Sequence, residues 1–281
     1  MRENHLNQQT IARNENPQSS EFNLGIAKAI GLLFFFCVFS GVVPLILVFL
    51  PVSANFAQVQ IVGQVVAWPV TIIIALRWGG GTFRKICPLG PFPVRIVPAL
   101  ILASFGMAQL VVEVAGWIPI PENFHSWLTT KVGTGKEIFL ILGILIAPMT
   151  EELFFRGPIL HGFLGKYSKI KAIWVSALIF SLFHILPWQM VGTLPLGLAS
   201  AWLVIRTRTL WPSIICHATA NLSGAMLLPF LARTFVSDVD QLKLAEHYPL
   251  PMLALGFGAF AIGVFFLWRE FEGKVMVDGP N

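Results

Sequence analysis

Thr150-Glu151-Glu152-Leu153-Phe154-Phe155-Arg156 sets two carboxylates and a guanidinium inside a long apolar run. Residues 138–149 before it are apolar almost throughout, and the run stays apolar to residue 164. A charged group at membrane depth costs on the order of 3 kcal/mol, and normally faces a protein interior or a wet cavity. Three such groups within six residues call for a chemical reason as well as a hydrophobic setting.

The composition supplies that setting. The 281 residues are 56% hydrophobic and 12% charged, with a mean hydropathy of +0.74, whereas soluble domains carry about 25% charged residues. Polar groups this scarce cannot cover a water-soluble surface, so the expected fold is all-α: a polytopic membrane helix bundle with the lipid bilayer as solvent. The net charge of +5 then bears on membrane orientation, and no nucleic-acid partner is expected. Cys37, Cys87 and Cys216 are too few and scattered for a disulfide framework or a thiolate metal site. Cys37 and Cys216 lie in apolar runs and read as small buried hydrophobes.

A spanning helix needs about 20 mainly apolar residues. On that measure the chain divides into a disordered polar tail (1–23), N-terminal spans with an interfacial loop (24–135), a core of chemistry-bearing helices (136–231), and an extracytoplasmic loop with a last span and short tail (232–281). Eight spans are expected, near 27–51, 58–78, 96–118, 137–163, 172–186, 188–205, 211–231 and 249–268. The fifth and sixth are divided only at Pro187. The segment 122–130, with Phe124, Trp127 and Leu128, reads either as an interfacial turn of helix or as a loop with aromatic anchors.

The cations test this division. With the amino terminus in the cytoplasm, Arg2, Arg13, Lys28, Arg77, Arg84, Lys85, Arg95, Lys166, Lys169, Lys171, Arg206, Arg208, Arg269 and Lys274 all fall on the cytoplasmic side. Lys131, Lys136, Arg233 and Lys243 fall opposite, and Arg156 lies within a span. The split follows the positive-inside rule, which places both termini in the cytoplasm.

Within the spans the polar residues sort by helical spacing. Glu152 and Arg156 are four apart on one face and can pair, while Glu151 is turned by about 100° from Glu152. The expected division is a structural ion pair beside a free carboxylate. Burial and a nearby cation act in opposite senses on such a carboxyl group, a tuning that suits a general base taking a proton from water. His184 ends Phe180-Ser181-Leu182-Phe183-His184 in the next span. His217 and Asn221, in His217-Ala218-Thr219-Ala220-Asn221, lie one turn apart in a third. At 1.5 Å per residue, Glu151, His184 and His217 are expected in the central to cytoplasmic part of the bilayer, where they can converge. Interhelical hydrogen bonding is the structural alternative for both histidines and for Asn221.

Glu151-Glu152 with Arg156, Phe180 with His184, and His217 with Asn221 resemble the three ordered motifs of the type II CAAX prenyl endopeptidase family, whose many bacterial relatives are called CPBP or Abi proteins. The resemblance covers roughly residues 136–229. It implies a glutamic-type intramembrane endopeptidase, multi-pass in a bacterial plasma membrane, acting on a membrane-associated or prenylated protein or peptide. It further implies that Glu151 activates water with help from His184, that His217 and Asn221 donate to the oxyanion, and that Glu152 and Arg156 support them. No cofactor is implied. The HExxH frame of zinc proteases is absent from the sequence, although Glu151, His184 and His217 are residue types that can ligate zinc.

Two further classes stand beside the enzyme. A non-catalytic immunity or scaffold protein would bind a peptide or partner through the same cavity, but has no need of an unpaired Glu151. A proton-coupled transporter would lead to expect inverted repeats, which the sequence does not show. Gln109 and Glu113, one turn apart in the third span, read as helix–helix bonding. His161 reads as interfacial, and His5, His125 and His247 carry no role. The topology is tested by cysteine labelling at Asp240→Cys: reaction from the extracytoplasmic side is expected, and reaction from the cytoplasm alone would overturn the eight-span arrangement.

Overall fold

The computed structural model describes residues 22–48, 56–119, 121, 140–224 and 248–272, and among these all regular structure is helical. The helices are α1 (Ile26–Val48), α2 (Phe56–Gly79), the single turn α3 (Phe83–Ile86), α4 (Val97–Ala115), α5 (Ala147–Phe154), α6 (Leu160–Leu164), α7 (Lys169–Phe183), α8 (Pro187–Thr207), α9 (Trp211–Leu222) and α10 (Leu250–Glu272). A 3-10 turn, Val94–Ile96, leads into α4, and π-helical turns Leu142–Ile146 and Phe155–Ile159 flank α5. The all-α membrane bundle expected from composition is observed. Among the described residues, four of the eight expected spans are long and apolar enough to cross a membrane: Val62–Gly79, Val94–Ala115, Pro187–Thr207 and Leu250–Glu272. The segment 122–130 and most of the polar tail and of the loop before α10 lie outside the described residues.

Small residues bring α4 and α10 together. A Cβ on Gly106 would meet the backbone of Gly256 and Phe260, and one on Gly263 the backbone of Ala99 and Ala103. In lipid, where apolar contact with neighbouring chains is no worse than contact with another helix, close backbone approach of this kind is what holds helices together. Two polar residues of α4 reinforce it. Gln109 Nε2 donates to the Met252 carbonyl at 2.6 Å, and Glu113 Oε2 accepts from the Tyr248 amide at 2.9 Å. The helix–helix role expected for this pair is the one found.

A second cluster gathers α1, α2, α5 and α7 around Trp68, which stacks on Phe36 at 4.0 Å between ring centres and packs against Phe154, Phe155 and Phe183. The entry to α1 is part of this body: Phe22 and Leu24 are buried, the Asn23 amide donates to the Gly79 carbonyl, and the Leu24 backbone lies where a Cβ of Gly162 would be. Phe22 and Asn23, expected in the tail, thus belong to the packed body. Cys37 is exposed, which corrects its reading as buried: among the described residues its side of α1, with Phe34 and Val38, is open and apolar enough to face lipid. Cys216 is buried as expected.

Pro148 and Pro158 shape the helix that carries the acidic motif. Proline has no N–H to donate and crowds the preceding turn, and each sits at or within a widened turn. The Ala147 amide bonds back five residues to Leu142. The next bond in that register would join Pro148 to the Gly143 carbonyl, and Pro148 cannot form it. Five residues before Pro158 the Leu153 carbonyl accepts instead from Cys87 Sγ at 3.4 Å. Burial pushes the Cys87 thiol up to about 12, so it stays protonated at neutral pH and keeps its proton to donate. Gly157, at ψ −105°, must lack a Cβ because that atom would overlap Cys87 Sγ.

The loop holding Cys87 is fastened to the turn between α8 and α9. Leu210 N donates to the Pro88 carbonyl and Thr209 Oγ1 to the Gly90 carbonyl, each at 2.9 Å. At the same end of the bundle Arg95 forms a two-pronged pair with Glu270. Lys166 and Arg208 lie in the connections of this end, and Lys169, Lys171 and Arg206 in the helix turns next to them, which makes it the cationic end.

Replacing Gly263 by Leu drives side-chain atoms into the α4 backbone, and overpacking of this kind costs about 1–3 kcal/mol or more. The expected outcome is a lowered thermal midpoint in detergent with a broadened size-exclusion profile. Gly31→Leu, at a position where a Cβ meets nothing, should leave both near normal. Equal behaviour of the two variants would refute the close α4–α10 contact.

Candidate active site

Glu152 and Arg156 form the expected ion pair one helical turn apart. Arg156 Nε lies 3.2 Å from Glu152 Oε2, with both side chains fully buried. The guanidinium also stacks on the Phe180 ring of α7, 4.7 Å from its centre. A buried cation requires this company, because removal from water costs several kcal/mol that only a paired charge and good geometry offset.

The second carboxylate oxygen of Glu152 meets a residue that spacing alone did not connect to it. His217 Nδ1, from α9, lies 3.0 Å from Glu152 Oε1. A carboxylate only accepts, so the ring donates from Nδ1–H. This leaves Nε2 as the atom that faces Glu151, 3.9 Å from its Oε2. Glu151 is 9% exposed against 0% for Glu152, and Oε2 of Glu151 has no protein hydrogen-bond partner among the described residues. The adjacent carboxylates are therefore unlike. Glu152 is committed to Arg156 and His217, whereas Glu151 keeps an oxygen free on the cavity side.

His184 is not deep within a helix, as its apolar surroundings suggested, but caps α7 at the end opposite Lys169 and Lys171. Its Nδ1 lies 2.9 Å from the Phe180 carbonyl, so Nδ1–H donates there and Nε2 is released. The turn that follows is strained. Ile185 adopts φ 62°, a left-handed conformation unfavourable for a β-branched residue. Pro187 opens α8 and restricts the residue before it to extended backbone, as Leu186 is, so the reversal falls on Ile185.

Asn221 donates from Nδ2 to the Gly143 carbonyl at 2.7 Å. This is the acceptor that Pro148 leaves without its π-helical partner. One N–H of the amide is used in holding α9 to the widened turn, and the other remains available. Ser223 spends its hydroxyl on the Thr219 carbonyl.

Glu151, His184, His217 and Asn221 come together on one cavity of about 310 Å³. Its other walls are the second half of α4 (Met107, Ala108, Val111, Val112), the first half of α8 (Gln189, Gly192, Thr193, Leu196) and the end of α9. Val112, Gln189 and Gly224 are exposed and form the mouth, while Met107, Ala108, Leu196 and His217 are buried and form the floor. The mouth lies at the end of α4, the start of α8 and the end of α9, away from the cationic end. Glu151, His184 and His217 remain the residues whose types suit a metal. Among the described residues no three His, Cys, Asp or Glu side chains approach closely enough to share an ion.

Phe180 and Gly143 are the residues that sequence reading undervalued. The Phe180 ring packs against His184, His217 and Arg156 together, and only its place in the phenylalanine–histidine motif hinted at that. Gly143 contributes a carbonyl, which no side-chain pattern can reveal.

Comparison with protein families gives one match within the chain. Residues 134–223 fit the Rce1-like family, described as type II CAAX prenyl endopeptidase Rce1-like, and all seven motif residues lie inside that segment. No curated protein and no solved structure matches. The resemblance read from the motifs is borne out over that segment. Together with the apolar helices, it marks an integral membrane protein with a segment similar to type II CAAX prenyl endopeptidases.

The unequal carboxylates give a stability test. Glu152→Gln strips Arg156 of its buried counter-ion, which costs about 3–5 kcal/mol; folded protein should fall sharply by size exclusion and thermal midpoint. Glu151→Gln removes no counter-ion and should keep its midpoint near that of the native chain. Equal destabilisation by the two would show that Glu151 is structural as well.

Proposed function

We propose that the protein hydrolyses a peptide bond of a membrane-associated or prenylated protein, with water activated by Glu151. The observation that carries this reading is the free Oε2 of Glu151 on the cavity wall, facing His217 Nε2 at 3.9 Å. A hydrogen bond of about 2.8 Å from Glu151 Oε2 reaches into the cavity, where an attacking oxygen is held by the carboxylate and the scissile carbonyl oxygen lies toward His217 Nε2.

Glu151 takes the proton of that water as its oxygen bonds to the scissile carbonyl carbon. The carbonyl oxygen becomes an oxyanion and is stabilised by donors placed before the reaction begins. These are the remaining N–H of Asn221 and, with the ring protonated on both nitrogens, the Nε2–H of His217. Glu151 then returns its proton to the leaving nitrogen as the carbon–nitrogen bond breaks, which restores the carboxylate. His184, with Nε2 free, orients water or substrate from the opposite wall. Glu152 acts one step back: it fixes the tautomer and tilt of His217 and is itself held by Arg156. No metal is needed for this sequence, because base, donors and proton return are all supplied by side chains.

Turnover per folded molecule tests the assignment. Glu151→Gln should lower it by at least about 10²-fold while the protein remains well folded. Asn221→Ala should lower it by about 10²–10³-fold, with a modest loss of stability from the freed Gly143 carbonyl. Near-normal turnover in a well-folded Glu151→Gln protein would end the glutamate mechanism and move the assignment to a peptide-binding scaffold. In a parallel assay, activity should survive prolonged exposure to a strong chelator. Loss under chelation with recovery on added zinc would instead make Glu151, His184 and His217 ligands.

A further inference from the structure

Among the described residues every lysine and arginine except Arg156 stands at one end of the bundle or in the α3 loop fastened to it. There α2, α6, α8 and α10 finish, and α1, α4, α7 and α9 begin. The positive-inside rule assigns that end to the cytoplasm. The cavity that holds Glu151 opens at the other. Along α8, Gln189 is about 27 Å from Thr207 at 1.5 Å per residue, and along α4 Val112 is about 22 Å from Val97. The apolar core of a bilayer is about 30 Å thick, so the mouth lies near its extracytoplasmic face.

Other approaches to the carboxylate are closed to a peptide. Toward the cytoplasm the next turns of α5 and α7 carry Glu152, Arg156 and Phe180, all buried. To the side, α4 and α8 touch: a Cβ on Gly192 would come within 3.2 Å of Val111 Cγ1. A second cavity, of about 390 Å³, lies deeper between α8 and α10, beyond Met107, which lines both. Its walls are groups such as Leu100, Ala199, Leu203, Val264 and Leu267. A peptide backbone threading such walls would find no partner for its N–H and C=O groups.

The mouth, in contrast, can pair a backbone. Gln189, Gly192, Thr193 and Leu196 share one face of α8, and all four line the cavity. The Thr193 hydroxyl donates to the Gln189 carbonyl at 2.9 Å, so what it still offers is an acceptor. The Gln189 carboxamide is exposed and forms no hydrogen bond among the described residues. A carboxamide carries an N–H donor and a C=O acceptor side by side, the same pair that a peptide unit presents.

We propose that the substrate is an exported polypeptide, presented to Glu151 from the extracytoplasmic side, and that Gln189 holds its backbone at the mouth of the cavity. This deepens the proteolytic reading and rests on it. Gln189 binds and does no chemistry: it pairs the incoming chain, whose scissile carbonyl passes inward to Asn221 and His217. A segment that remains in the cytoplasm does not reach the carboxylate.

The test has two arms, one independent of cleavage. In the first, cells express the chain with Cys37→Ser and Gln189→Cys and are treated with a membrane-impermeant maleimide. Spheroplasts, which expose the extracytoplasmic face, should label, and sealed inside-out vesicles should not. The chain with Cys37→Ser alone should label in neither. Labelling of Gln189→Cys in inside-out vesicles only, or in neither preparation, would overturn the proposal.

In the second arm, an impermeant pool of short quenched fluorescent peptides of randomised sequence is offered to both preparations of the native chain, with Glu151→Gln as the blank. Cleavage above the blank should appear in spheroplasts, and in inside-out vesicles only after detergent opens them. For a peptide cut from that pool, Gln189→Leu should raise KM by about 10-fold, as for a lost hydrogen bond, with kcat nearly unchanged. An unchanged KM overturns the role of Gln189. Cleavage confined to intact inside-out vesicles overturns the sidedness and leaves the protease. Cleavage absent even in detergent refutes the protease reading itself, and the labelling then decides alone from which side the cavity is entered.

Discussion

The buried pair of Glu152 and Arg156 is the constraint around which the site is arranged. Each charge alone would be destabilising at this depth, and together they still need every remaining direction satisfied or shielded. The Phe180 ring covers the guanidinium, and His217 Nδ1 takes the second carboxylate oxygen. Three helices, α5, α7 and α9, are thereby tied to one ion pair. The same contact decides which nitrogen of His217 is left for chemistry. Support and reactivity are in this sense a single arrangement: the atom that stabilises Glu152 determines what His217 can do for Glu151.

Proline contributes the second constraint, through bonds it cannot make. Pro148 leaves Gly143 without its donor in the widened turn, and Asn221 fills the gap. Pro158 stands five residues after Leu153, and the Cys87 thiol reaches that carbonyl from a separate loop. In lipid an unsatisfied carbonyl has no water to turn to, so each break in the helix ladder becomes a place where another segment must dock. The motif helix is held at both ends in this way, which fixes Glu151 relative to α9 more firmly than apolar packing between helices would.

The two cavities have opposite chemical character although they share helices α4, α8 and α9. One is lined by a carboxylate, two imidazoles, two amides and a hydroxyl, while the other offers mainly hydrocarbon. The difference follows from which faces the helices present. On α9, His217 and Asn221 face the first cavity, and Cys216, a residue away, faces the second. On α4, Met107 stands where the two meet, so both environments are reached within a few residues of every wall.

Much of the bundle was legible because composition and periodicity suffice for it. Scarce charge, apolar runs of spanning length and the four-residue spacings Glu152–Arg156 and His217–Asn221 are local properties, and local geometry alone decides that each pair shares a helix face. The distinction between the two glutamates was legible for the same reason. What only the tertiary structure decided involves contacts across helices or carbonyls of the backbone. His217 lying between both glutamates, Asn221 on the Gly143 carbonyl, and Phe180 beneath a cation and two imidazoles depend on how far each helix slides along its neighbours. His184 was misplaced because apolar neighbours do not reveal a helix end, which is set by Pro187 three residues on. The cleft beside Met107 could not be read at all: a gap is a property of two helices that diverge, and no single stretch of sequence encodes it.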